Sequence, residues 1–381
     1  MAQSKREIRI GLIGYGFMGK THAFAVHNLP YYFDALPFRA SIAGVVTRSI
    51  EKSRAVCAQY GFATATDNED ELIRDTSIDV IDICTPNILH AATARKALAA
   101  GKHVYCEKPL CDNEKDAMEL ADLAARSGRI CTAVFNNRHL AAVVRARQLI
   151  DEGRIGRILS FDFSYLHNSC IDPDRTVGWK QDATVCGNGG VLYDLGSHVL
   201  DLAIFLCGKL RTVSGRSQIA FPSHLDAKGD HWQTNAPEAF YITAETEGGA
   251  CGTITASKLH VGTNDELFFS IYGERGALRF SLMQPDFLEY YDATATGAPI
   301  GGVRGFTRIE CVGRYPAPAG RFPSPKATTG WIRGHVMSMY HFLNAVYTGA
   351  QNAPSFSDAA YVQHVMDTAL ASAAERYEMR V

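Results

Sequence analysis

A run of apolar residues near the start of the chain leads directly into a glycine-rich turn. The run is residues 8–13, and the turn that follows it reads Gly14-Tyr15-Gly16-Phe17-Met18-Gly19. Glycines at this spacing, between a strand and a helix, are typical of the first turn of a dinucleotide-binding sheet. They permit a tight turn, a close approach of the pyrophosphate to the backbone, and close packing of helix against strand. The pattern predicts dinucleotide binding by Gly14, Gly16, Phe17, Met18 and Gly19. A glycine-rich turn without a ligand has the same local pattern.

The region up to about residue 130 alternates short apolar runs with amphipathic segments. The predicted strands are residues 8–13, 41–47, 80–84 and 103–106, and the predicted helices are residues 18–29, 50–60, 90–100 and 112–127. Alternation at this spacing predicts a parallel sheet covered by helices on both faces. We therefore assign residues 1–135 to a doubly wound α/β domain that binds the dinucleotide.

From residue 157 onward, strands follow one another directly. Residues 157–166 alternate as a half-buried strand does, and hairpins are predicted around Gly248-Gly249 and between Gly273 and Gly276. Successive strands joined by tight turns predict an antiparallel sheet. Residues 281–330 are expected to form an irregular loop, and helices are predicted at 333–347 and 357–377. We assign residues 136–381 to an α+β domain with a large, mainly antiparallel sheet, for substrate binding and oligomerisation.

Composition excludes several classes of function. The 381 residues are 46% hydrophobic, and the net charge of −2 argues against nucleic-acid binding and against electrostatic attachment to a membrane. No signal-peptide core and no stretch of about 18 uncharged apolar residues occurs. The ten cysteines are scattered singly without a C-x-x-C pair, so we expect reduced thiols in a cytoplasm and no metal. Only Cys106 and Cys111, which bracket Lys108, suggest redox or metal chemistry.

The end of the second predicted strand bears on the choice of dinucleotide. An acidic residue there binds the ribose hydroxyls of NAD, whereas an arginine pairs with the extra phosphate of NADP. This chain carries Thr47-Arg48-Ser49 at that place and no carboxylate. The three residues are therefore expected to contact the cofactor, with a preference for NADP. An arginine in this place is equally typical of a solvated helix start.

Lys108 lies in Glu107-Lys108-Pro109, directly after an apolar strand. The carboxyl ends of parallel strands face the ligand crevice in a doubly wound sheet. A lysine there can hydrogen-bond a substrate oxygen and stabilise developing negative charge. A surface lysine in a turn is an equally good interpretation of the local sequence.

A second candidate group lies on a predicted helix after Gly189-Gly190, which are expected to open space. Asp194 and His198 are four residues apart and share one face of that helix. A histidine beside a carboxylate is a plausible proton acceptor near neutral pH. The alternative is that His198 is an ordinary structural histidine.

The three motifs, in this order, resemble the Gfo/Idh/MocA family of oxidoreductases over nearly the whole chain. The third of them reads G-G-x-L-x-D-x-G-x-H-x-x-D-L from Gly189. Cys84-Thr85-Pro86-Asn87 with His90 resembles the family's turn at the nicotinamide, and Phe135-Asn136-Asn137-Arg138 resembles the strand end that leads into its second domain.

The resemblance implies an NAD(P)-dependent enzyme that moves a hydride to or from a hydroxyl-bearing carbon of a sugar, anhydrosugar, glycoside or cyclitol. It implies that Lys108, Asp194 and His198 are catalytic. The cofactor contacts that it adds are Thr85, Pro86, Asn87, His90, Glu107, Lys108 and Asn136. The candidate substrate contacts are Tyr165, Arg175, Trp179 and His335. Dimers and tetramers are typical of the family, so the resemblance also implies a homodimer or homotetramer formed through the C-terminal sheet.

In the hypothesis that follows, His198 exchanges the proton of the reacting hydroxyl. Lys108 polarises that oxygen, and Asp194 orients the sugar and His198. Two alternatives stay open at this point. One is an enzyme that retains its cofactor and oxidises a glycoside only transiently in order to cleave or rearrange it. The other is a non-catalytic, dinucleotide-binding regulatory protein on the same fold.

Overall fold

The computed structural model describes residues 5–176, 178–226, 228–318, 322–324 and 326–381. These residues form two compact units. The first unit contains the described residues up to Asn136, those from Pro316 to Ser324, and those from Ile332 to Tyr361. The second contains the rest. Residues 319–321 and 325, which belong to the predicted loop at 281–330, lie outside the described residues.

The described part of the first unit contains a six-stranded parallel sheet. Its strands are β1 (Arg6–Ile13), β2 (Phe38–Val46), β3 (Thr64–Thr66), β4 (Val80–Ile83), β5 (His103–Cys106) and β6 (Cys131–Ala133). The spatial order is β3-β2-β1-β4-β5-β6. The order reverses between β1 and β4, which is where sheets of this kind bind ligands beyond the carboxyl ends of their strands. The predicted doubly wound sheet is confirmed.

The helices between these strands are α1 (Phe17–Tyr32), α2 (Ile50–Tyr60), α3 (Glu69–Arg74), α4 (Asn87–Ala99) and α5 (Glu114–Ser127). Side-chain caps fix two helix starts, because Ser49 accepts a hydrogen bond from the backbone of Lys52, and Asn113 accepts one from Asp116. Sequence analysis missed β3, α3 and β6. These elements have only three to six residues, which is too few for a periodic pattern.

The second unit opens with α6 (Ala141–Asp151) and contains a nine-stranded sheet within its described residues. The strands are β7 (Ile158–Leu166), β8 (Leu210–Gln218), β11 (Ala239–Thr246), β12 (Cys251–Ser257), β13 (Glu266–Gly273), β14 (Gly276–Ser281), β15 (Phe287–Asp292), β16 (Phe306–Glu310) and β17 (Met379–Arg380), while β9 (Ser223–Leu225) and β10 (His231–Gln233) form a separate pair. The order is β16-β15-β14-β13-β7-β12-β11-β8-β17, and β7 and β12 are its one parallel pair among the described strands. Buried and exposed residues alternate along β11, so one face of the sheet packs on the core and the other is open.

Both predicted hairpins are confirmed, as β11–β12 and β13–β14. The prediction of an irregular loop from residue 281 was wrong in part, because β15 and β16 lie within it. Almost all of β16 is exposed, so its sequence carries no apolar alternation. Cross-strand cation–π contacts support this edge: Arg308 lies 3.7 Å from the ring centre of Phe287, and Arg279 lies 4.1 Å from that of Phe306.

The helical segment that carries Asp194 and His198 follows α7 (Ala183–Cys186). It starts as a π-helical turn, Leu192–Gly196, and continues as α8 (Ser197–Cys207). The expectation that Gly189 and Gly190 open space was wrong. A Cβ on Gly189 would lie 2.3 Å from the ring of Tyr193, and one on Gly190 would lie 2.7 Å from the carbonyl oxygen of Pro237. The two glycines therefore serve close packing.

Two long helices end the chain, α9 (Trp331–Thr348) and α10 (Phe356–Glu375). From Ile332, α9 belongs to the first unit, where Ser338 lies 2.8 Å from the hydroxyl of Tyr105 and Tyr340 stacks on Phe33. Among the described residues, no helix combines the length and the apolar character that crossing a bilayer requires.

Candidate active site

The glycine turn after β1 has a backbone that only glycine allows. Gly14 has a φ of 98°, and a Cβ there would lie 2.4 Å from the carbonyl oxygen of Cys84. A Cβ on Gly19 would lie 2.2 Å from the carbonyl oxygen of Gly14. At Gly16, the N-cap of α1, a Cβ would meet nothing within 4 Å, and no side chain caps the helix. The first turn of α1, where Phe17 is exposed and Met18 half-buried, can therefore receive an anion at its N–H groups.

The tip of β2 carries two hydroxyls that hold the turn and one exposed cation. The hydroxyl of Thr47 donates to the carbonyl of Ser49 at 2.9 Å and lies 3.0 Å from the hydroxyl of Ser53. Ser49 is the cap of α2. Arg48 is exposed, so it is the residue of the predicted three that is open to a solute.

The turn after β4 contains Thr85, Pro86 and Asn87, and Pro86 precedes α4 as its N-cap. His90 is buried in the next turn of that helix. Its Nδ1 lies 2.8 Å from the carbonyl oxygen of Pro109, and its Nε2 lies 2.9 Å from that of Thr85. Burial lowers the pKa of His90 although the two carbonyls act to raise it. His90 therefore ties this turn to the one that holds Lys108.

Glu107 belongs to a buried charged cluster that we define as His22, Asp82 and Glu107. His22 lies between the two carboxylates, with Nδ1 2.9 Å from Asp82 and Nε2 3.1 Å from Glu107. Burial acts to lower the pKa of His22, but the charge of Asp82 leads the effects that raise it well above its usual value. Burial acts to raise the pKa of Glu107, but the hydrogen bond from His22 and the charges of His22 and Lys108 lower it to about 2. The cluster is therefore an imidazolium between two carboxylates.

Lys108 is half-buried, and its backbone N–H donates to the Glu107 carboxylate at 3.2 Å. His335 is 2% exposed, and its ring centre is 6.3 Å from that of His22. Burial, with the charge of His22, lowers the pKa of His335 to about 3. His335 thus borders the buried charged cluster and exposes little surface to a sugar. Asn136 is also buried and starts a 3-10 turn, Asn136–His139.

Cys84 also contacts the buried charged cluster, with its Sγ 3.1 Å from Nδ1 of His22. The ligand atoms of His22, Asp82 and Cys84 lie within 4.8 Å of one another, a spacing that also suits a metal ion. Burial raises the pKa of the Cys84 thiol, so the thiolate that would bind a metal is disfavoured. The same holds for the thiols of Cys106 and Cys111, both of which are buried.

In the second unit, Asp194 is buried and lies between two lysines that sequence analysis did not select. Nζ of Lys180 is 2.7 Å from Oδ1 of Asp194, and Nζ of Lys258 is 3.1 Å from Oδ2. His198 is half-buried in the next helical turn. A lysine inside the apolar pattern of residues 250–260 is the one sequence signal that points to Lys258. Lys180 gives no such signal.

Tyr165 forms a wall beside His198, and the two ring centres are 5.9 Å apart. The Tyr165 hydroxyl donates to Asp265 at 2.6 Å, and the same carboxylate oxygen lies 2.8 Å from Nε2 of His167. Sequence analysis missed Asp265, which comes just before β13. Of the other predicted sugar contacts in this unit, Arg175 and Trp179 are exposed.

Two family models match the chain. The Gfo/Idh/MocA oxidoreductase family with an NAD-binding Rossmann fold matches residues 8–135, and the Gfo/Idh/MocA C-terminal domain matches residues 143–279. The chain belongs to the Gfo/Idh/MocA oxidoreductase family. The predicted family and fold class are confirmed, and the first domain is an NAD-binding Rossmann domain.

Relatives within the Gfo/Idh/MocA family include named sugar dehydrogenases. Levoglucosan dehydrogenase of Pseudarthrobacter phenanthrenivorans is 30% identical to this chain, and the alignment covers 97% of each protein. Glucose-6-phosphate 3-dehydrogenase of Bacillus subtilis is 25% identical, with 94% of each covered. A solved structure of levoglucosan dehydrogenase in complex with NADH and levoglucosan has a TM-score of 0.94 and 30% identity, and covers 99% of this chain. These names support a dehydrogenase and give no support to the two alternatives above.

Proposed function

We propose that this oxidoreductase transfers a hydride between NAD(P) and a hydroxyl-bearing carbon of a sugar, anhydrosugar, glycoside or cyclitol. The observation that carries the proposal is the group formed by Asp194 and His198. A buried carboxylate between two ammonium groups, with a half-buried imidazole one turn away, can accept hydrogen bonds from hydroxyls and take up a proton. The similarity to levoglucosan dehydrogenase supports the substrate class.

The proposed catalytic residues are Lys108, Asp194 and His198. His198 takes the proton of the reacting hydroxyl during oxidation and returns it during reduction. Lys108 donates a hydrogen bond to the substrate oxygen and stabilises its developing negative charge. Asp194 accepts hydrogen bonds from substrate hydroxyls and so orients the ring. The nicotinamide, when bound, supplies the hydride acceptor or donor.

The residues around the glycine turn fit a dinucleotide. Gly14 and Gly19 allow the turn, and the uncapped start of α1 at Gly16 leaves room for a pyrophosphate. We propose that Phe17, Met18 and the Thr85–Asn87 turn complete the cofactor contacts. Glu107, His90 and Asn136 are buried, and their proposed part is to hold the strand ends in place.

We also propose a preference for NADP, with Arg48 as the partner of its extra phosphate. Arg48 is exposed at the tip of β2, and Thr47-Arg48-Ser49 offers no carboxylate to ribose hydroxyls. For the sugar, Tyr165, Arg175 and Trp179 are proposed as contacts. His335 is also proposed as a contact, and only 2% of it is exposed for this.

The test is absorbance at the reduced-nicotinamide band. Purified protein is mixed separately with NAD and NADP against levoglucosan, D-xylose, glucose 6-phosphate and a cyclitol. A rise in absorbance with one pairing supports the proposal and decides the cofactor preference. No change with any pairing, together with cofactor released on denaturation, would contradict it in favour of the retained-cofactor alternative.

We propose a homodimer or homotetramer that pairs the open face of the large sheet. Tyr241, Thr253 and Tyr272 lie on that face and are exposed. Light scattering on the wild type and on Thr253→Arg tests this, because a buried arginine at the centre of the interface should shift the mass to the monomer.

We also propose a reducing, cytoplasmic location, on the ground that all ten cysteines are free thiols.

A further inference from the structure

We infer that the two lysines at Asp194 have different roles in the reaction. Lys258 is a positioning residue that keeps Asp194 charged and oriented, and Lys180 is a substrate-binding residue that hydrogen-bonds the same sugar as Asp194. The inference rests on the proposed function for its kinetic part. The pairing of Lys258 with Asp194 is testable without any substrate.

Lys258 is fixed at both its main chain and its side chain. Its backbone N–H donates to the main-chain carbonyl of Glu238 at 2.9 Å, and its own carbonyl accepts from the N–H of Cys170 at 3.0 Å. Its side chain is 3% exposed, and its ammonium lies 3.1 Å from Oδ2 of Asp194. A charge buried to this extent is stable only beside an opposite charge or several hydrogen bonds. Lys258 and Asp194 therefore depend on each other.

Lys180 is held more loosely. It lies in a 3-10 turn, Trp179–Gln181, and its side chain is 46% exposed although its ammonium is 2.7 Å from Oδ1 of Asp194. The Trp179 ring centre is 5.9 Å from that ammonium. A solute that reaches Asp194 therefore also meets Lys180.

This arrangement sets the protonation state of the site. Tyr165 and Cys186 also face Asp194, and burial raises the pKa of both, to about 11 for Cys186, so neither contributes a charge near neutral pH. Two lysine side chains within 3.1 Å of the Asp194 carboxylate favour its charged form. The proton of the reacting hydroxyl then goes to His198, and Asp194 acts as an acceptor only.

Thermal unfolding of a double-mutant cycle tests the buried pair. Asp194→Asn leaves the buried Lys258 without this opposite charge, and Lys258→Met leaves Asp194 with only Lys180, which is 46% exposed, as its lysine partner. Each should lower Tm by roughly 5–10 °C. The double variant should lose clearly less than the sum of the two losses. Lys180→Met, and the control Lys209→Met at an exposed lysine of the same unit, should shift Tm by no more than about 2 °C. Additive losses in the cycle would overturn the pairing.

Steady-state kinetics test the division of roles, at a temperature well below every Tm. Lys258→Met should lower kcat roughly 10- to 100-fold with KM within about threefold, because Asp194 loses its orientation in the transition state. Lys180→Met should raise KM about tenfold with kcat within about threefold, because a contact made equally in ground and transition states is lost. Lys209→Met should leave both constants unchanged.

Equal losses of kcat in Lys258→Met and Lys180→Met would overturn the division, as would an unchanged kcat in Lys258→Met. If Lys258→Met does not fold but the double variant does, the pairing is supported, and Lys258→Arg, which keeps the charge, replaces it in the kinetics. If the wild type oxidises nothing in the substrate panel, the proposed function fails, while the cycle still reports on the pair.

Discussion

The two units each contain a cluster of opposite charges, and the clusters differ in their access to solvent. The buried charged cluster of the first unit places His22 between Asp82 and Glu107, with side chains no more than 8% exposed. The cluster of the second unit places Asp194 between a buried Lys258 and a Lys180 that is 46% exposed. The buried charged cluster is therefore closed to solvent, whereas the cluster around Asp194 is exposed to solvent at Lys180.

The difference separates two uses of a buried carboxylate. Asp82 and Glu107 have their hydrogen bonds satisfied within the protein, so their charges fix the strand ends that lead to Thr85 and Lys108. Asp194 is buried to a similar degree, but one of its oxygens pairs with Lys180, which is 46% exposed, so we expect a solute to reach this pair. We expect changes in the buried charged cluster to alter mainly stability, and changes around Asp194 to alter turnover in addition to stability.

The largest effect is expected on turnover, at His198, one helical turn from Asp194. His198→Ala should lower kcat/KM by roughly 10²- to 10⁴-fold, because the proton acceptor is lost. Initial rates measure this, and titration of the dinucleotide by fluorescence should show unchanged binding. His231→Ala, at an exposed histidine of the same unit, is the control and should keep its activity. A normal rate in His198→Ala would remove His198 from the mechanism.

The next largest effect is expected on the free energy of unfolding, in the buried charged cluster. His22→Gln removes the cation between two buried carboxylates and should lower the free energy of unfolding by about 3–5 kcal/mol in urea titrations. His27→Gln, at an exposed histidine of the same helix, should change it by less than about 0.5 kcal/mol. The raised pKa of His22 means that its stabilisation is complete below the unfolded pKa and is lost as pH rises through the folded one. If His22→Gln and His27→Gln unfold with equal free energies, the charge of His22 does not stabilise the buried charged cluster.

The pH dependence of stability gives a smaller effect. His335, with a pKa of about 3, stays neutral where an unfolded histidine binds a proton, so its contribution to stability is complete above about pH 6.5 and is lost as pH falls toward 3. Between pH 7 and 5, the free energy of unfolding of His335→Gln should fall by on the order of 2 kcal/mol less than that of the wild type. The contribution of Glu107 is lost only at lower pH, from about 4.3 toward its pKa of about 2. His231→Gln should follow the wild type, and a parallel curve for His335→Gln would refute the assignment.

The smallest effect concerns the exposed tip of β2. Arg48→Ala should raise KM for NADP about tenfold, or about 1.4 kcal/mol, and leave KM for NAD unchanged. Initial rates with both cofactors measure the ratio. Arg54→Ala, at an exposed residue of α2, controls for general surface charge. Equal changes for both cofactors would show that Arg48 does not contact the extra phosphate.

Most of the local structure was accessible from the sequence. The turn at Gly14–Gly19, strand β5 and helix α2 follow from glycine spacing and apolar periodicity within about ten residues, because these features depend on backbone conformation and on the face that each segment buries. The two hairpins were predictable for a similar reason, because the glycines at the turn and the two strands beside it are neighbours in the chain. Edge strand β16 was missed because an exposed strand needs no apolar pattern, only a neighbour to pair with.

Only the tertiary structure decided which charges meet. His22 and Glu107 are 85 residues apart in the chain, and Lys258 lies far from Asp194, so no periodic pattern relates them. Their pairing comes from strand order, which brings distant strand ends and helix starts together, and from burial, which makes an unpaired charge too costly to keep. The sequence by itself determined the family, the two kinds of sheet and the glycine turn. The packing of the chain determined that Glu107 pairs with a fully buried histidine, and that the equally buried Asp194 pairs with one lysine that is 46% exposed.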